Sequence, residues 1–413
     1  NGVFLNDFVT FSGAASLGGL ITAAVLNKEY QVTSVVNANS YTITATATAN
    51  SSDTGNGGSS VVGRYQINTG LDSAASGSGW SAGTWSRGTW SSAADVSIPG
   101  AQLRLWSMDN FGEDLLANAR GGGIYYWDAS SGTGARAVNI TTLSGNNQPQ
   151  AANVVLVSER DRHVIAFGCD PQGDPGNLDP LTIRFSDQES FTDWAATSTN
   201  TAGELRIGTG SEIIAAVQTK QQVIIFTDRS VSSMQFIGAP FTFGLSEVST
   251  NTSIAGQNAA VAFGDAVYWM GAQVFYKYDG NVQPIPCPIE EYIFDNMNLS
   301  QRSKITSGLN SKFNEIWWFY PSTGSESNDS YVVYNYVEKS WYYGTLARTA
   351  WFDNAISNLP IAASPDGYIY FHEDGLNDGS TNPPSPLSSY IESSAIDMGD
   401  GDQFMFVSRV LPD

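Results

Sequence analysis

The chain has 413 residues, with 19 Lys and Arg against 40 Asp and Glu, a net charge of −21. That balance argues against nucleic-acid binding, which needs clustered cations to neutralise phosphate. Only 14% of residues are charged, while Gly (41 residues) and aromatics (12%) are plentiful; polarity rests on Ser, Thr and Asn, and the expected class is all-β.

Charge divides the chain unevenly. Residues 1–100 carry 3 basic and 5 acidic side chains, and the remaining 313 carry 16 and 35. Within the first part, period-two alternation over 7–12, 29–35 and 40–45 predicts strands, with Val35 to Ser40 turning one hairpin. A Gly/Ser loop (55–60) and a closing strand (61–67) complete an expected small β-sandwich or barrel-like domain over 1–75. Residues 76–100 read as a Gly/Ser/Trp-rich linker loop with Trp80, Trp85 and Trp90 at a period of five, which fits neither helix nor strand. These three tryptophans are the candidate interface loop, either docking on a partner or stacking on sugars; the plainer reading is that they pin a Gly-rich loop to its own domain.

From residue 101 a looser repeat begins. Runs at 114–118 and 124–128 flank the turn Arg120 to Gly123, and 153–157 leads through a charged turn to 163–167. Triplets follow at 213–217, 222–226 and 232–236, at 259–263, 266–270 and 274–280, and at 315–320, 331–335 and 340–343. A last hairpin joins 360–363 to 368–371. Three or four short strands recurring every 40 to 60 residues describe propeller blades, each too small to bury both faces alone. The expected fold is therefore a β-propeller over 101–385 with the 1–75 domain inserted. Ile289, Ile293 and Met297, at i, i+4 and i+8, predict one amphipathic helix over 288–298.

The chemistry-bearing residues form no catalytic pattern. There is no G-x-S-x-G, H-E-x-x-H or P-loop. His163 leads into an apolar strand and is expected to be a half-buried structural histidine. His372 ends a hairpin strand beside Glu373 and Asp374, where a metal site is conceivable and a solvated strand end is the expectation. Carboxylate neighbours such as Asp109 with Glu113, or Glu290 with Glu291, arise by chance in so acidic a chain; a glycosidase would need two that face each other. Cys169 and Cys287 lie far apart, outside any C-x-x-C spacing, so neither a disulfide framework nor a zinc site is expected. No catalytic, cofactor-binding or metal residues are expected. No apolar run reaches the ~18 residues of a membrane span. Residues 183–194, with Ser186, Asp187, Thr192 and Trp194, loosely resemble the Asp-box turn of sialidase-type propellers, a structural turn away from the catalytic centre; Ser190 replaces the usual Gly and Trp194 is displaced.

A wider resemblance spans residues 101–413. Its carriers are Trp106 to Asp128, Gly210 to Ala216, Val223 to Val231, Ser253 to Gly256, Tyr268 to Met270, Val274 to Gly280, the Pro-rich Val282 to Pro286, and Ile289 to Phe294. This order is similar to the tail nozzle proteins of short-tailed bacteriophages, also called packaged-DNA stabilisation or tail tube B-type proteins. The resemblance implies a non-enzymatic virion protein: a propeller carrying inserted β-domains, six copies of which form a tube below the portal and the tail adaptor protein. Tail fibres or the tail tip would be further partners. Double-stranded DNA would be retained in this channel and conducted at ejection without specific binding, and an acidic wall suits that task because it repels phosphate. Residues 386–413 would begin a C-terminal β platform, and the chain would be the interior of a longer polypeptide. The alternatives from the residues are a carbohydrate- or protein-binding propeller and, further off, a propeller glycosidase, whose arginine cluster is not visible in the sequence.

Overall fold

Runs that alternate β-branched or aromatic residues with small polar ones bury one side of a strand and solvate the other. The computed structural model describes residues 5, 7–37, 39–52, 56–67, 69–74, 102–238, 241–353, 358–378, 383–387 and 409, and strands dominate them. The all-β expectation holds. The α-helices among the described residues are Ala23–Leu26 and Glu290–Asp295. The second is shorter than the predicted 288–298: of the expected stripe only Ile293 lies within it, buried, while Met297 is buried beyond its end and Ile289, the residue before it, is half-buried.

The strands Phe8–Ser12, Glu29–Asn37, Ser40–Ile43 and Val62–Gln66 form an antiparallel sheet in the spatial order third, second, first, fourth. Asn37 pairs with Ser40 across the predicted hairpin. Val9 and Val32 are fully buried, packed by Phe11, Tyr41, Ile43 and Tyr65. The expected sandwich or barrel is, in the described residues, this one four-stranded sheet.

Beyond it, six antiparallel meanders follow one another in chain order. Their first strands are Trp106–Phe111, Ala152–Val157, Ile213–Gln218, Ala260–Phe263, Thr306–Asn310 and Ala350–Phe352. Five of these sheets have four strands; the sixth, completed by Ile361–Ala363 and Ile369–Phe371, has three. Each first strand packs beside the first strand of the next sheet. The apolar cores lie between neighbours: Leu116, Ile124, Val155 and Trp194 between the first and second sheets, and Ile165, Phe167, Ile225 and Phe243 between the second and third. A third cluster spans the third to fifth sheets around Trp269 and Trp318. Both indoles are fully buried and both N–H groups are satisfied, by Ser253 O at 3.2 Å and Ala259 O at 3.0 Å, as a buried Trp requires.

Residues 70–74 run back onto this stack. Leu71 bridges Leu103, the Ser73 hydroxyl donates to Glu326, and the Ala74 N–H donates to Gln301 Oε1. The last residues of the expected 1–75 domain therefore strap onto the stack. The whole of the predicted loop 76–100 and most of the predicted platform 386–413 lie outside the described residues.

Candidate functional site

The first sheet is tied to the third and fourth by one cation. Arg120 follows the strand Asp114–Ala119, and its guanidinium donates to Ile214 O (3.1 Å), Ile213 O (3.3 Å) and Gln257 Oε1 (3.2 Å), with Glu212 Oε2 at 3.4 Å. Gln257 Nε2 returns a hydrogen bond to Trp106 O at 3.3 Å. The neighbouring junction is built the same way. Asn118 Nδ2 donates to Gly122 O and Ala152 O, while Ser107 Oγ accepts from Val155 N–H (2.9 Å) and Asp109 Oδ2 from Val157 N–H (2.8 Å). Burial pushes the Asp109 carboxyl up, and the N–H groups of Val157 and Asn110 oppose that shift. Polar side chains here are consumed by backbone partners, which makes the cluster a frame.

The two histidines play structural parts, one as expected and one not. His163 is fully buried, its Nδ1 2.7 Å from Ser186 O, its ring 5.2 Å from that of Phe243 and 6.1 Å from that of Phe236. Nε2 has no partner and burial pulls the imidazole pKa down, so the ring sits neutral, more deeply enclosed than the half-buried site expected. His372 is not a solvated strand end. Its ring lies 4.7 Å from that of Trp351, and Nε2 accepts from Arg348 Nε at 2.9 Å. Burial first, and the Arg348 charge second, lower its pKa to about 4. The carboxylate of Glu373 accepts from Asn310 Nδ2 instead. A strand-end histidine looks solvated in sequence because its neighbours are charged; the aromatic that covers it comes from another strand.

The Asp-box-like segment is a turn in the structure as well. Ser190 Oγ accepts from the N–H groups of Thr192 and Asp193, and Asp187 Oδ1 accepts from both the N–H and the hydroxyl of Thr201. The displaced Trp194 is fully buried, with Nε1 donating to Phe191 O. Arg184, also fully buried, donates to Asp170 O and to Asn147 O and Trp194 O. Sequence reading did not single out Arg184; its place between Ile183 and Phe185 was the available signal.

A small open cleft lies between the turns 158–161 and 218–223, lined by Arg160, Asp161 and Lys220 and by the apolar Met234, Phe236 and Phe243. Gln218 closes one side by donating to Val157 O and accepting from Glu159 N–H, both at 2.9 Å. His163 sits among the same phenylalanines but is sealed from solvent. Among the described residues no group of three or more His, Cys, Asp or Glu is placed to hold a metal ion, and no helix is long and apolar enough to cross a membrane. Both cysteines are free thiols, their pKa values raised by burial. Trp80, Trp85 and Trp90 lie outside the described residues.

No protein-family model and no curated protein matches the chain. Among solved structures it is similar to the extracellular domain of a hybrid two-component system from B. thetaiotaomicron, at 10% identity and a TM-score of 0.30. The match covers 65% of this chain and 39% of that one.

Proposed function

We propose that this chain is a structural subunit of a bacteriophage tail nozzle, a β-propeller that assembles with further copies, six by family resemblance, into a tube below the portal and adaptor. The observation that carries the reading is the succession of four-stranded meanders, first strand beside first strand, over the segment that resembles those proteins. The polar clusters at the sheet junctions support it, because their side chains brace neighbouring sheets. The net charge of −21 supports it more weakly: a wall that must let DNA slide gains from repelling phosphate.

Native mass measurement and imaging of the purified protein test the reading. A ring of several copies with a net negative lumen is expected. A monomer at all concentrations would refute it, as would a lumen lined by Lys and Arg. Tight DNA binding at ~150 mM salt with a steep salt slope would refute the passive channel.

A further inference from the structure

The segment Gly70 to Ala74 joins parts of the stack that strand packing leaves apart. Each first strand packs beside the next, but among the described residues no strand of the first sheet packs in that way against the fifth or sixth. The segment spans this gap. On the first-sheet side, Leu71 N–H donates to Gln102 O (2.7 Å) and Leu71 O accepts from Arg104 N–H (2.8 Å), while Asp72 pairs with the Arg104 guanidinium at 2.7 Å. Gly70, at φ +104°, lets the two backbones meet, since a Cβ there would lie 2.6 Å from Gln102 O. On the fifth-sheet side, Ala74 N–H donates to Gln301 Oε1 (2.9 Å) and Ala74 O accepts from Gln301 Nε2 (3.3 Å). Ser73 Oγ donates to Glu326 Oε2 at 3.1 Å. One side-chain amide thus meets both backbone groups of Ala74, as a neighbouring strand would.

The two sides of this contact differ in firmness. The receiving side is held by bonds of its own. Gln301 is buried in the 3-10 helix Leu299–Lys304, with its N–H bonded to Asn298 O. The Asn328 amide, also buried, donates to Lys304 O and Arg348 O, and Lys304 Nζ donates to Glu326 O. The segment itself brings little apolar burial: Asp72 is exposed, Leu71, Ser73 and Ala74 are half-buried, and none belongs to an apolar core of the stack. Contacts with so little buried apolar surface open at a lower free energy than core strands do.

We propose that residues 70–74 are a releasable clasp, which holds the first sheet to the fifth and comes away as one unit while the sheets stay folded. Its release opens the seam between those two sheets and bares the buried amide of Gln301. The clasp is a property of the stack and does not depend on the nozzle reading.

Hydrogen exchange on the unmodified chain in rising denaturant, read residue by residue, tests this. The amides of Leu71, Ala74 and Arg104 carry the clasp's backbone bonds. They should open together, and at lower denaturant than the amides of Val223–Thr227 in the third sheet. Gln301→Ala and Gly70→Ala act at opposite ends of the segment. In either variant all three amides should exchange at least tenfold faster, with exchange over 223–227 and the circular dichroism spectrum as in the parent chain. Leu71 and Arg104 amides that keep the parent rate in Gln301→Ala would mean two independent contacts and overturn the proposal. Opening of the three amides only together with 223–227 in the unmodified chain would overturn it as well, because the segment would then be part of the global fold.

Discussion

Arg120 shows how much a single side chain can hold. Its guanidinium satisfies two carbonyls of one sheet and a glutamine ahead of the next, with Glu212 supplying the counter-charge. Arg120→Ala would leave those acceptors without their donor, and removing one partner of a buried charged network costs about 3 kcal/mol. The expected outcome is a lower Tm and denaturant midpoint with unchanged strand content. His372 sets a pH dependence. Its folded-state pKa, about 4, lies below the roughly 6.5 of an unfolded histidine. Its contribution is therefore complete above pH ~6.5 and is lost as pH falls towards 4, where the unfolded chain binds the proton first. Partial exposure limits the effect to on the order of 1 kcal/mol. In His372→Gln, whose side-chain oxygen can still accept from Arg348, denaturation midpoints should fall less steeply between pH 6.5 and 4. An unchanged slope would show that His372 is not the titrating group; His163, shifted the same way, also contributes to the slope.

The sheet junctions depend on close approach. A Cβ on Gly308 would lie 2.4 Å from the Trp351 ring, so only glycine lets that indole lie flat on the fifth sheet. Gly308→Val should prise the sixth sheet away at a cost of about 1–3 kcal/mol, read as a lowered Tm with faster amide exchange across 350–371. Such junctions also explain what could be read beforehand. Inner strands such as Val223–Thr227 and Glu315–Tyr320 are apolar on both faces and stand out as runs. First and last strands are weaker signals. Thr306–Asn310 is mostly small and polar, because its neighbours do the packing, and Val282–Ile285 contains Pro284, tolerated on an outer strand that pairs on one side only. The runs therefore gave three strands in each of the third, fourth and fifth sheets and two in each of the others, with the remaining strands hidden. The junction polar groups were illegible for a different reason. Arg120, Gln257 and Asp109 look like ordinary turn or strand residues, and only the stacking of sheets brings their partners within reach.

At the level of the whole chain, the leading sheet and the stack have separate cores. Removing residues 7–66 while keeping 69–74, whose backbone bonds to Gln102 and Arg104, should leave the stack's calorimetric transition nearly unchanged. Loss of that transition would show that the leading sheet is part of the stack's own core.

The Arg120 bridge also has a kinetic consequence. Within each of the six sheets of the stack every hydrogen-bonded pair of strands is adjacent in sequence, so these meanders close short loops and can form early. Arg120 instead joins groups 92 to 137 residues apart, a closure that must wait until the second and third sheets are in place. An interaction absent from the transition state slows unfolding and leaves refolding untouched. In stopped-flow measurements Arg120→Ala should therefore steepen the rate at which the native stack opens, by tens of fold for ~2–3 kcal/mol, while its refolding limb overlays that of the parent chain. The arginine acts as a latch on an assembled stack: it governs how long the fold survives under load and contributes nothing to how quickly it is reached.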